Sequence, residues 1–146
     1  MEDYANAHTA TVNADALARS RLSDKRYGHT LRVADTAVDL ARVHGLDEDR
    51  VRLSALIHDA ARETEPEEFL RLAENWNLPV GEPERQSPKL LHGPVAAELA
   101  RRELGVRDEE VLDAVRTHTT ARPGMGPLAL AGSAAIAEGY AYARQP

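Results

Sequence analysis

His58 and Asp59 adjoin each other at the end of a stretch in which five of the preceding eight residues are apolar. A carboxylate beside an imidazole in such company is costly unless it is paired or holds a cation. Neighbouring residues of a helix diverge by 100°, so both side chains can reach one ion, or two ions a short distance apart. His29, His92 and His118 lie in, or at the start of, other helical stretches. Imidazole nitrogen with carboxylate oxygen, and no sulfur, suits Fe, Mn, Zn, Co or Ni. A mixed set of this kind can hold two ions about 3.5–4 Å apart, which polarise a phosphoryl group and activate water. The plainer reading of His58 is a satisfied core histidine, with Asp59 on the rim. A His-Asp pair is also compatible with a serine-type triad, but no serine lies in a Gly-x-Ser-x-Gly elbow, which leaves a serine nucleophile only weakly supported. His8 and His44 are expected on the surface or in the core, without a role.

Two arginines extend the pattern. Arg62 follows His58 by four residues and Arg122 follows His118 by four. Each is placed to meet an anion held at the histidines, although a solvated surface arginine has the same spacing. Among the 18 basic residues only Lys25 and Lys89 are lysine. Phosphate contacts would therefore fall mainly to guanidinium forks, which can bind two oxygens at once.

The elements that must position these groups are helical. Alanine, leucine, arginine and glutamate dominate, aromatic residues are 4%, and strand-like alternation is absent, which predicts an all-α fold. The 146 residues suit a single domain, with residues 1–12 flexible and a motif-bearing core over 22–125. Six or seven helices are expected. The first starts near Asn13 or Asp15. The second is capped by Asp24, stopped by Gly45, and turns His29 inward with Val33 and Leu40. The third runs from the acidic residues after Gly45 into His58-Asp59. Thr64 and Glu67 form a capping box for the fourth. Residues 77–93 form the long loop. Helices over 94–104 and 108–119, and a last one over 128–142, complete the bundle. Gly45 precedes His58 by 13 residues and Gly105 precedes His118 by 13, with acidic residues after each glycine. Two similar helix pairs could thus aim histidines at one centre.

Composition narrows the function classes. A net charge of −6 argues against a general nucleic-acid or membrane binder. Cysteine is absent, so thiol nucleophiles and thiolate metal sites are excluded. No apolar run approaches the ~20 residues that span a bilayer. The start of the chain lacks a signal-peptide pattern, so a cytoplasmic location is expected. A homodimer is compatible with the sequence.

The motifs Tyr27-Gly28-His29-Thr30, Ala55-Leu56-Ile57-His58-Asp59-Ala60-Ala61-Arg62, Leu91-His92-Gly93-Pro94 and Arg116-Thr117-His118-Thr119-Thr120-Ala121-Arg122-Pro123-Gly124-Met125 occur in this order. In this combination the chain resembles the HD-domain metal-dependent phosphohydrolases, and among them the bacterial YqeK-type symmetrical diadenosine tetraphosphate hydrolases. The resemblance covers about residues 22–125. It implies a single all-α HD-domain bundle, a two-metal site that prefers iron, and hydrolysis of the tetraphosphate into two ADP. It implies that His29, His58, Asp59, His92 and His118 are metal ligands, with His58-Asp59 the catalytic pair and Asp59 the bridge. It places Arg62 where the family has a phosphate-binding lysine, and puts His92, His118, Thr119 and Arg122 against substrate.

The family's last metal-binding aspartate and a nucleotide-contacting arginine match Glu138 and Arg144 in one alignment. A rival alignment puts Ala135 at the aspartate. Family members usually continue past the position of Pro146, so the resemblance implies a shortened member. Two other functions stay open at the level of sequence. One is an HD-type phosphatase for another nucleotide or phosphate ester. The other is a nucleotide- or metal-binding regulatory protein with impaired catalysis.

Overall fold

A computed structural model describes residues 2–118. These form seven α-helices, with no strand among the described residues: α1 Glu2–Arg21, α2 Asp24–His44, α3 Glu48–Ile57, α4 Pro66–Asn75, α5 Glu82–Gln86, α6 His92–Leu104 and α7 Glu109–Arg116. The all-α expectation holds.

Helix α3 lies centrally, packed against α1, α2, α6 and α7. The face it shares with α1 is unusual in its small residues. Ala10, Ala14 and Ala18 of α1 are buried at intervals of four, a stripe that permits close approach. This helix begins at Glu2, not near Asn13 or Asp15. The reason is simple: no glycine or proline interrupts residues 1–27, and alanine carries the highest helix propensity. The core beneath is made by Val33, Ile57, Phe69, Leu91, Val95, Val111, Leu112 and Val115.

The glycine stops hold. Gly45 and Gly105 end α2 and α6 with φ of +69° and +67°, the left-handed conformation a side chain disfavours. Each is followed by an aspartate that caps the next helix. Asp47 accepts from the Arg50 amide, and Asp108 from the amides of Glu110 and Val111. Arg50 joins the two starts, donating through Nε and Nη2 to both oxygens of Asp108 at 2.6 and 2.7 Å. The two helix pairs foreseen from the 13-residue spacing thus share their stops and their caps.

Other boundaries differ from expectation. Ser23, not Asp24, caps α2, and its hydroxyl also donates to Glu63 Oε1 at 2.8 Å. Glu65 stands at the cap of α4 without a side-chain bond, so the Thr64–Glu67 box does not form. Pro66 occupies the first turn there, where its missing N–H leaves one donor fewer to satisfy. Residues 77–93 are partly ordered into α5 and a single 3-10 turn over Pro88–Leu91, which runs directly into α6. Helix α3 ends at Ile57, so His58-Asp59 lies just past the helix and not within it. Amides of Ala60 and Arg62 bond back to the carbonyls of Ile57 and Asp59, three residues earlier, and tighten the chain into turns.

Candidate metal centre

Three histidines reach one buried point from three helix termini. His58 caps the C-terminus of α3, His92 opens α6, and His118 lies two residues beyond α7. Each ring is fixed in the same way. Nδ1 of His58, His92 and His118 bonds to the carbonyl three residues earlier, those of Ala55, Lys89 and Val115. A carbonyl only accepts, so each Nδ1 carries the proton and each Nε2 presents a bare lone pair. The last turn of α3, the 3-10 turn before α6 and the end of α7 supply these carbonyls. The same local geometry is built three times.

The lone pairs converge on Asp59, which is fully buried. His58 Nε2 lies 3.6 Å from Asp59 Oδ2, while His92 Nε2 and His118 Nε2 lie 3.8 and 4.0 Å from Oδ1. The ligand atoms of Asp59, His92 and His118 all lie within 4.8 Å of one another. The His58 and His118 rings meet edge to face at a centroid distance of 5.1 Å.

Burial pushes the pKa of His58, His92 and His118 down, so the rings are neutral near pH 7. His29, buried on α2, is lowered to about 4 by burial and by the Arg26 charge, against the opposing pull of Asp59. It shares the electrostatic neighbourhood of the centre but stands outside the tight group of three. His92 Nε2 and His118 Nε2 are 2.9 Å apart. Two neutral imidazoles with Nδ1 already protonated would oppose lone pair to lone pair at that distance. A cation between nitrogen and carboxylate oxygen resolves the repulsion, and a donor set of neutral imidazoles with one carboxylate suits a divalent ion. The residues therefore fit a metal.

Close packing delivers the approach. A Cβ on Gly93 would lie 2.7 Å from the Arg116 carbonyl and 3.1 Å from that of Val115. Only glycine lets the start of α6 seat against the end of α7, and this seating sets His92 beside His118.

Cations border the carboxylate. Arg62 Nη1 is 3.9 Å from Asp59 Oδ1. Arg26 is closer, with Nη2 donating to Asp59 Oδ2 at 3.0 Å. Sequence reasoning missed Arg26. Its only local signal is its place one turn before His29 on α2, and its partner lies 33 residues away. His8 and His44 are exposed, away from the buried centre. Thr119, Arg122, Glu138 and Arg144 lie outside the described residues, as does Ala135.

Helices alone, a histidine-aspartate pair at a helix end and further histidines closing on it define a class. A family model described as the HD domain matches residues 26–145, and the chain belongs to that family. Within it, the chain is 39% identical over 110 residues to a Bacillus subtilis protein named symmetrical bis(5'-nucleosyl)-tetraphosphatase. The match covers 75% of this chain and 59% of that protein. A Staphylococcus aureus protein of the same name is 37% identical over 112 residues, covering 77% and 57%. The chain therefore spans somewhat under two thirds of the length of these relatives. A solved structure of an HD superfamily hydrolase from Clostridium acetobutylicum, described as involved in NAD metabolism, superposes with a TM-score of 0.80 at 34% identity. It covers 85% of this chain and 66% of that one. Among the described residues, no helix is long and apolar enough to cross a membrane.

Proposed function

We propose that the protein is a cytoplasmic metal-dependent phosphohydrolase that cleaves dinucleoside polyphosphates symmetrically, turning diadenosine tetraphosphate into two ADP. The observation that carries this reading is the convergence of three Nε2 lone pairs on the Asp59 carboxylate, with Arg26 and Arg62 at its edge. The similarity to relatives named symmetrical tetraphosphatases supplies the substrate. His29, His58, Asp59, His92, His118 and Glu138 would hold two divalent ions, iron by preference. When bound, such a pair polarises a phosphoryl group and activates water.

The protein's own groups do the rest. Burial keeps the imidazoles neutral, and the bonds from Nδ1 to the carbonyls of Ala55, Lys89 and Val115 keep them aimed before a ligand arrives. Asp59 contributes the negative charge that neutral imidazoles lack. Symmetric cleavage breaks a bond at an inner phosphorus, so the polyphosphate must lie centrally across the centre. Arg62, Arg122 and Arg144, with Thr119, are the groups that would hold it. Their fixed positive charge opposes the negative charge developing on the phosphoryl oxygens.

The test is product identity. Manganese- or iron-loaded protein incubated with diadenosine tetraphosphate should release ADP as the sole nucleotide, separated by ion-exchange chromatography. Asp59→Ala should abolish the release. AMP with ATP in equal amounts would refute symmetric cleavage.

A further inference from the structure

The two oxygens of Asp59 face different neighbours. Oδ1 looks toward His92 Nε2 at 3.8 Å and His118 Nε2 at 4.0 Å. Oδ2 looks toward His58 Nε2 at 3.6 Å. The carboxylate thereby divides the centre into two halves, one per oxygen. The halves are not equivalent, because a cation already stands at one of them. Arg26 Nη2 sits 3.0 Å from Oδ2, whereas Arg62 stays 3.9 Å from Oδ1.

Arg26 is also the movable partner. Its side chain is 24% exposed while Asp59 is 0% exposed, so the guanidinium reaches inward from the rim on a flexible stem. His58 cannot yield in the same way, being fully buried with Nδ1 held by the Ala55 carbonyl. A divalent ion on the Oδ2 side would meet the guanidinium charge at close range, and two cations there repel. The ion must displace the arginine, and the arginine has solvent to move into.

We propose that Arg26 is a built-in competitor for the second half of the metal centre, so that the halves fill in order. The half formed by Asp59 Oδ1, His92 and His118 fills first. The half formed by Asp59 Oδ2 and His58 fills only as Arg26 withdraws. This ordering rests on the two-ion reading above, and it adds a residue that controls occupancy from outside the ligand set.

The experiment is titration of the metal-free full-length chain with Mn²⁺ by calorimetry, with electron paramagnetic resonance reporting whether the second ion couples to the first. The natural protein should show a tight event and a weaker one. Arg26→Gln removes the competing charge and should tighten the weaker event about tenfold, leaving the tight one within about twofold. Retention of the tight event is the internal evidence that the variant is folded. Arg26→Lys keeps a charge on a flexible stem and should keep the second event weak. A natural protein that takes one ion, beside an Arg26→Gln variant that takes two, would also support the ordering. An unchanged or weakened second event in Arg26→Gln, or equal tightening of both, would overturn it. A single ion in both proteins would overturn it while sparing a one-ion hydrolase. Failure of the natural protein to bind any Mn²⁺ would overturn the metal reading itself.

Discussion

His92 Nε2 and His118 Nε2 face each other at 2.9 Å across 26 residues of sequence. Neither ring is there by its own preference. His92 is delivered by the 3-10 turn over Pro88–Leu91, and His118 by the end of α7. Their meeting depends on the contact between Gly93 and the carbonyls of Val115 and Arg116.

That contact can be tested directly. In Gly93→Ala the new methyl would lie 2.7 Å from a backbone oxygen, which cannot rotate aside as a side chain could. Helix α6 must back away from α7, opening the gap between the two rings. Overpacking of this kind costs about 1–3 kcal/mol of stability. Metal affinity should fall further than stability does, because ligand geometry is lost along with packing. Denaturant unfolding of the metal-free variant and a separate Mn²⁺ titration distinguish the two effects. Unaltered affinity would show that the seating of Gly93 does not set the site.

Much of this geometry was legible in the sequence, and the reason is local chemistry. Glycine after a helix and aspartate two or three residues on are signals within one turn, so both helix pairs could be read from Gly45 and Gly105. The inward face of α2 with His29 follows from a 3.6-residue period. The missed features are those whose cause lies far along the chain. Ser23 serves as the cap of α2 with Glu63, 40 residues away, bonded to its hydroxyl. Arg26 matters only because the turn after α3 brings Asp59 to it. The end of α3 before His58 was also missed, since its apolar run gives no stop signal.

Acid should weaken the metal-free protein in a defined window. His29 has a folded pKa of about 4 against an ordinary value of 6.5, and His58 and His92 are lowered in the same sense. In the unfolded chain these groups take up protons as pH falls through 6.5, while the folded form resists. The unfolded state then binds more protons, so stability rises with pH across this interval. Melting temperatures measured in a chelator should be level above about pH 7 with respect to these groups and decline from pH 6.5 toward 4. Stability that increases on acidification through that range would contradict the burial of neutral imidazoles.

Metal removal should be visible in the melt. The proposed ligands join the end of α3, the start of α6 and the segment after α7, so an ion bound there would favour the folded state by mass action. For a domain of this size, an ion at about a hundredfold excess over its dissociation constant should raise the melting temperature by about 5–10 °C. Scanning calorimetry with Mn²⁺ and with excess chelator checks this, and superimposable traces would deny the metal any part in stability.

The most direct measurement is anomalous X-ray diffraction from crystals of the metal-loaded protein, collected at the absorption edge of the ion supplied. The expected result is a peak about 2.0–2.3 Å from Asp59 Oδ1, His92 Nε2 and His118 Nε2, with the two nitrogens moved apart from 2.9 Å to admit it. Full metal occupancy at some other place, with the two imidazoles still in contact, would contradict the assignment of this centre.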